Sequence, residues 1–113
     1  MEDKELIKYL VKQYMNLLKT KNKYVVYKYT NKITRRVYIG SSIDICGRYL
    51  YHLNRNESDL DKDITKYGIE NFKFEILAAF KRKDDYQNFE KQVIREYNNN
   101  HIPLYNKVLY NNS

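Results

Sequence analysis

Two short runs rich in Val, Ile and Tyr, from Tyr24 to Tyr29 and from Arg36 to Ile39, flank the turn-forming stretch Thr30-Asn31-Lys32-Ile33-Thr34-Arg35. β-Branched and aromatic residues suit a pleated, half-buried surface, so two such runs around a polar interruption predict a β-hairpin. If Tyr27 stands opposite Tyr38, antiparallel pairing sets Val26 against Ile39, Lys28 against Val37, Tyr29 against Arg36 and Val25 against Gly40. A loop from Asn31 to Thr34 then closes the hairpin. One face offers Val26, Val37 and Ile39 to a core, and the other presents Tyr27, Tyr29, Tyr38 and Arg36 to a cleft. Gly40 would let a substrate backbone come close.

The remaining elements follow from periodicity. Leu6, Ile7, Leu10, Val11, Tyr14, Leu17 and Leu18 recur at helical spacing between residues 3 and 19 and predict an amphipathic helix. It is expected to pack on the domain, with a DNA-contacting arm or a dimer contact as alternatives. Ser42 can cap a helix from Ile43 to Asn54, on which Arg48 and His52 share a face. A short helix is expected from Ser58 to Tyr67, ended by Gly68. Phe72, Phe74 and Ile76 alternate with Lys73, Glu75 and Leu77, which predicts a strand over 71–78. Tyr86, Phe89, Val93, Ile94 and Tyr97 make the apolar stripe of a helix over 84–98, and Glu90 lies beside that stripe. The Asn-rich stretch from Asn98 is expected to be looser, except around Pro103 and Tyr105-Asn106. The fold class is therefore α+β: a small three-stranded antiparallel sheet flanked by helices, with an extra N-terminal helix.

At 113 residues this is one domain with a modest core. The net charge of +7 favours a polyanionic partner. Its distribution is uneven: residues 1–56 carry 12 Lys/Arg against 4 Asp/Glu, whereas residues 57–113 carry 9 against 10. Lys19, Lys21, Lys23, Lys28, Lys32, Arg35 and Arg36 form an acid-free run around the hairpin. The 13 Tyr could reflect an AT-rich coding sequence, so position rather than abundance carries the argument. Cys46 is the single cysteine, which excludes an intrachain disulfide and a cysteine-based zinc site. With no apolar run of membrane length and no signal-peptide core, a soluble, intracellular, cytoplasmic protein is expected, without a membrane partner.

Ten residues separate Tyr27 from Tyr38, and Arg48 and His52 follow within a further fourteen. A proton acceptor, an anion clamp and a titratable base in one segment are what phosphodiester chemistry requires.

These residues carry a resemblance. The chain resembles the GIY-YIG endonuclease superfamily, and especially the catalytic domains of phage and intron-encoded homing endonucleases. Val25-Val26-Tyr27 looks like the first motif, with Val where the family name has Gly, and Tyr38-Ile39-Gly40 is the second. Arg48 and His52 match the active-site Arg and His, Lys66-Tyr67-Gly68 with the strand after it is similar to the homing branch, Glu90 falls at the metal-binding Glu, and Asn106 at the late Asn. The similarity spans about residues 23–108, leaving 1–22 as the N-terminal helix and 109–113 as a tail. No residues remain here for the linker and separate DNA-binding domain that homing enzymes carry.

The resemblance implies a metal-dependent DNA endonuclease leaving 5′-phosphate and 3′-hydroxyl ends. Tyr27 would be the general base. A free phenol is ionised to only about one part in a thousand at pH 7, so His52 would take its proton, or Lys28 and Arg36 would make the phenol more acidic. Tyr38 would hydrogen-bond the water or phosphate, Arg48 would contact the phosphate, and Asn106 would orient Glu90 or a backbone turn. Glu90 would hold one divalent ion, Mg²⁺ or Mn²⁺. Lys28, Arg35, Arg36, Gly40 and Ser41 are the expected contacts to DNA, single- or double-stranded. The competing readings are a non-catalytic nucleic-acid-binding module of the same fold and a protein-interaction domain built on the N-terminal helix.

Overall fold

The computed structural model describes residues 3–18, 23–44 and 58–110. The expected helix from Ile43 to Asn54, with Arg48 and His52, therefore lies outside the described residues.

The hairpin forms the centre of the fold. Strand β1 (Tyr24–Asn31) pairs with β2 (Val37–Ser42) on one side and β3 (Phe72–Phe80) on the other, giving an antiparallel sheet in the order β2-β1-β3. Its register differs from the expected one by two residues. Tyr27 lies opposite Gly40, Tyr29 opposite Tyr38 and Thr30 opposite Val37. The turn explains the difference: Asn31 belongs to the strand, and its side-chain Oδ1 accepts from the amides of Ile33 and Thr34 at 2.9 and 3.2 Å. That local bond shapes the loop, and Arg35 at φ 69° reverses the chain before the Asn31 amide reaches the Arg36 carbonyl at 2.9 Å. A shift of two keeps every side chain on its expected face.

Both faces are covered. Tyr27 and Tyr29 were expected to line a cleft, yet they are buried in a first core with Val25, Leu60, Ile64, Ile69, Phe72, Phe74 and Tyr105. Helix α1 (Asp3–Leu18) lays Leu6, Tyr9 and Leu10 on this core, and the Tyr9 hydroxyl donates to the Phe72 carbonyl at 2.8 Å. That orientation splits the expected stripe, leaving Ile7 60% and Val11 56% exposed. Helix α2 (Asp59–Tyr67) also covers this face. It starts with a reciprocal Ser58–Asp61 capping box and ends where Gly68, at φ 88°, donates its amide to the Ile64 carbonyl.

The second core lies behind the sheet. Val26, Val37, Ile39 and Ile94 are its buried members, and Phe89, Val93 and Tyr97 of helix α3 (Lys83–Asn99) pack against it as their spacing predicts. A bulge in β3 moves the β1 pairing from Val26–Ala78 to Tyr27–Ile76, leaving Leu77 as the extra residue. Phe74 and Ile76 thereby serve the first core while Leu77 and Phe80 serve the second.

The chain after α3 is more tightly held than expected. The Val37 amide donates to the Pro103 carbonyl and the Tyr105 amide to the Val37 carbonyl, so this segment adds backbone bonds along the outer edge of β2. Leu109 and Tyr110 pack on the second core, which carries the folded unit past residue 108. No helix among the described residues is long and apolar enough to cross a membrane.

Candidate active site

Gly40 is the pivot. A Cβ built there would stand 2.6 Å from both Cζ and the hydroxyl oxygen of Tyr27 and 2.7 Å from Cε2 of Tyr38. The glycine was expected to admit a substrate backbone, but the two phenol rings already fill the space over it. Their centroids are 6.1 Å apart, and Tyr27 also contacts Tyr29 at 5.9 Å and Phe74 at 5.7 Å. These spacings suit aromatic pairs, so the ring cluster fixes the direction of the Tyr27 hydroxyl toward the end of β2.

Glu90 reaches the same end of β2 from behind. It lies on α3, against the second core, in a pocket of about 190 Å³ lined by Ser41, Tyr86, Gln87, Lys91 and Tyr110. Its Oε2 is buried and has no hydrogen-bond partner among the described residues. A carboxylate oxygen withdrawn from water without a partner is costly, so the fold holds an acceptor ready for a ligand. Because successive strand residues point to opposite faces, Gly40 meets Tyr27 on one side while Ser41 meets Glu90 on the other. The structure thus brings Tyr27, Tyr38 and Glu90 to one short stretch of β2, on opposite sides of it.

Asn106 locks that stretch. Its Oδ1 accepts from the Ile39 amide at 2.9 Å and its Nδ2 donates to the Ile39 carbonyl at 2.7 Å, so the side chain acts as a strand residue beside β2. The backbone turn was one of its two expected partners, and β2 itself takes that place.

The cations behave differently from expectation. Lys28 points to the α3 side, where its ammonium lies 3.3 Å from Glu75 and donates to the Tyr97 hydroxyl at 3.2 Å. Burial disfavours its charge, but Tyr97 and Glu75 outweigh that and raise its pKa above the usual lysine value. Lys28 therefore points to the opposite side of the sheet from Tyr27. Arg36 stacks over the Tyr105 ring at 4.3 Å, donates from Nε to the Leu104 carbonyl and lies 3.8 Å from Asp59. Both serve the fold, whereas Arg35 is exposed on the turn. Ser41 lines the Glu90 pocket. Arg48 and His52 lie outside the described residues.

Sequence reasoning missed Tyr86, Lys91 and Tyr110 around Glu90. Tyr86 stands four residues before Glu90 on one helix face, a signal present in the spacing. Tyr110 had no local signal, because it is held by Arg95 Nε donating to its carbonyl at 2.8 Å.

Comparison with known proteins agrees with this layout. The family model of the GIY-YIG catalytic domain matches residues 23–103, a span that includes the hairpin, Arg48, His52 and Glu90 and stops short of Asn106. "Putative endonuclease segD" of Enterobacteria phage T4 is 33% identical over 84 residues, covering 67% of this chain and 33% of that protein. "Putative endonuclease segB" of the same phage is 35% identical over 94 residues, covering 76% of this chain and 38% of that protein. The chain thus spans little more than a third of the length of these relatives. No solved structure matches it significantly. With that family model matching well over half of its residues, the chain belongs to the GIY-YIG catalytic domain family.

Proposed function

We propose that this chain is a metal-dependent DNA endonuclease that hydrolyses phosphodiester bonds to 5′-phosphate and 3′-hydroxyl ends. The observation that carries the reading is the unpartnered, buried Oε2 of Glu90 beside Ser41, on the α3 element of a chain belonging to a nuclease family.

The pocket fits a hard divalent ion such as Mg²⁺ or Mn²⁺. Among the described residues no group of three or more His, Cys, Asp or Glu could hold a metal, and a small ion that keeps most of its waters needs only one or two protein carboxylates. Glu90 would hold it, and when bound it would offset charge on the phosphoryl oxygens.

The chain's own residues do the rest. Tyr27 accepts a proton from the attacking water as its own passes to His52, the new P–O bond forms, and the P–O3′ bond breaks with the 3′ oxygen taking up a proton from solvent water. Tyr38 orients the water or phosphate, Ser41 donates to a phosphate oxygen, and the permanently charged Arg48 stabilises the growing negative charge. Asn106 acts through β2 by holding Ile39. The nuclease unit runs from about residue 23 to 108, with α1 packed on it as a family-external addition.

A second reading, a non-catalytic nucleic-acid-binding module, is favoured by one observation: Tyr27 is only 1% exposed. The two are separated by incubating the protein with supercoiled plasmid or single-stranded DNA in Mg²⁺ or in EDTA. Mg²⁺-dependent nicking that disappears in Glu90→Gln supports the nuclease. Binding with no cleavage by the parent protein in Mg²⁺ establishes the binding module.

A further inference from the structure

Of the basic run, Lys32 and Arg35 lie on the hairpin turn, at the far end of the sheet from the candidate site. The register puts Tyr24 opposite Phe80 and Val25 opposite Ser42, so the start of β1, the end of β2 and the end of β3 share one end. Ser41 and Glu90 are at that end. The turn bearing Lys32 and Arg35 closes the opposite end, roughly 20 Å away along strands that rise about 3.3 Å per residue.

Lys23 of that run and three cations after β3 lie at the end of the sheet that carries the site. Lys23 precedes Tyr24, and Lys81, Arg82 and Lys83 follow Phe80 into the first turn of α3, so the last ladder pair carries Lys23 and Lys81 out of the sheet side by side. All four are exposed, and none forms an ion pair among the described residues. Besides Glu90, the acids at this end among the described residues are Asp44 after β2 and Asp84 and Asp85, which occupy the first turn of α3 and complement its dipole. A stacked aromatic pair adjoins both the cations and the pocket. Tyr24 and Tyr86 are stacked at 4.8 Å with ring planes 10° apart, and Tyr86 also lines the Glu90 pocket. Exposed cations beside stacked aromatic rings are the combination that tracks a nucleic-acid backbone and supports bases beside it.

We infer that the DNA backbone crosses the open end of the sheet over Lys23, Lys81, Arg82 and Lys83, with the Tyr24–Tyr86 stack beside it, and that the hairpin turn lies off its path. The inference rests on the proposed nuclease reading and assigns that site its substrate-binding surface.

The salt dependence of binding tests it, read by fluorescence anisotropy on a mixed-sequence duplex in EDTA so that affinity is separated from cleavage. Each phosphate contact on duplex DNA contributes about 0.9 to the slope of log affinity against log salt. The Lys23→Gln, Lys81→Gln, Arg82→Gln variant should lower that slope by about 2 to 3, keep the parent's melting temperature and lose cleavage in Mg²⁺ in proportion to binding. The Lys32→Gln, Arg35→Gln control should keep the parental slope. A fall confined to the control overturns the inference while leaving the nuclease reading intact, as does an unchanged slope in both. Absence of binding and of Mg²⁺-dependent cleavage in the parent overturns the nuclease reading and this inference together.

Discussion

The Asn106 carboxamide holds both backbone groups of Ile39, accepting its amide at 2.9 Å and donating to its carbonyl at 2.7 Å across 67 residues of sequence. Ile39 lies between Tyr38 and Gly40, so this pair of bonds sets the position of the backbone on which the site is built. Asn106→Ala should cost about 1 to 3 kcal/mol, since two bonds worth about 0.5 to 1.5 kcal/mol each are lost. Urea denaturation would measure it, and cleavage should fall further than stability accounts for at temperatures where the variant stays folded. Parental activity in a folded Asn106→Ala variant would remove its positioning role.

Gly40→Ala should be more damaging than its size implies. The added methyl would stand 2.6 Å from the Tyr27 phenol and 2.7 Å from Tyr38, both ring atoms in a packed cluster. Overpacking of this kind costs about 1 to 3 kcal/mol. The variant should melt at lower temperature and lose cleavage while retaining DNA binding; a variant with normal melting and normal cleavage would show that the Tyr27 hydroxyl can move freely.

Glu90→Gln should stabilise the metal-free protein and abolish its chemistry. An unpartnered buried carboxylate oxygen is a cost that a neutral amide reduces, so the melting temperature in EDTA should rise. Loss of about 3 kcal/mol of transition-state stabilisation would slow cleavage by about a hundredfold or more. In differential scanning fluorimetry Mg²⁺ should raise the melting temperature of the parent and leave the variant unmoved. Equal Mg²⁺ responses would place the ion elsewhere.

Alkaline pH should unfold the domain through Tyr105. Burial, then the Asp63 carboxylate that accepts its hydroxyl at 2.6 Å, push the Tyr105 pKa from 10.0 to about 12, against an opposing Asn31 donor. A group whose folded pKa is raised contributes stability present below its unfolded pKa and lost as pH climbs through the folded one, so the loss falls between pH 10.0 and about 12. The raised pKa of Lys28 acts in the same direction. Tyr105→Phe should be less stable at neutral pH yet decline less steeply above pH 10.0, as followed by denaturation at a series of pH values. An equally steep decline would assign the alkaline transition to other groups.

The sequence by itself determined the elements and their faces. Helical periodicity in α1 and α3, the Ser58–Gly68 brackets of α2 and the alternation of Phe72, Phe74 and Ile76 are all local, and each appears at its expected place. The hairpin's two faces were legible too, since a register error of two preserves side-chain parity. The ordered series of Tyr27, Tyr38, Arg48, His52, Glu90 and Asn106 carried the resemblance to the family, and the family itself is the chain's. The tertiary structure decided the rest. The register depended on Asn31, which shapes the turn with its Oδ1 while its Nδ2 donates to the Tyr105 hydroxyl 74 residues away. The burial of Tyr27 and Tyr29 depended on α1 and α2 closing over them, and the engagement of Lys28 and Arg36 depended on Glu75, Tyr97 and Tyr105. Such contacts join residues far apart in the chain, whose approach no local pattern encodes, because each is set by how much apolar surface the assembled layers can bury at once.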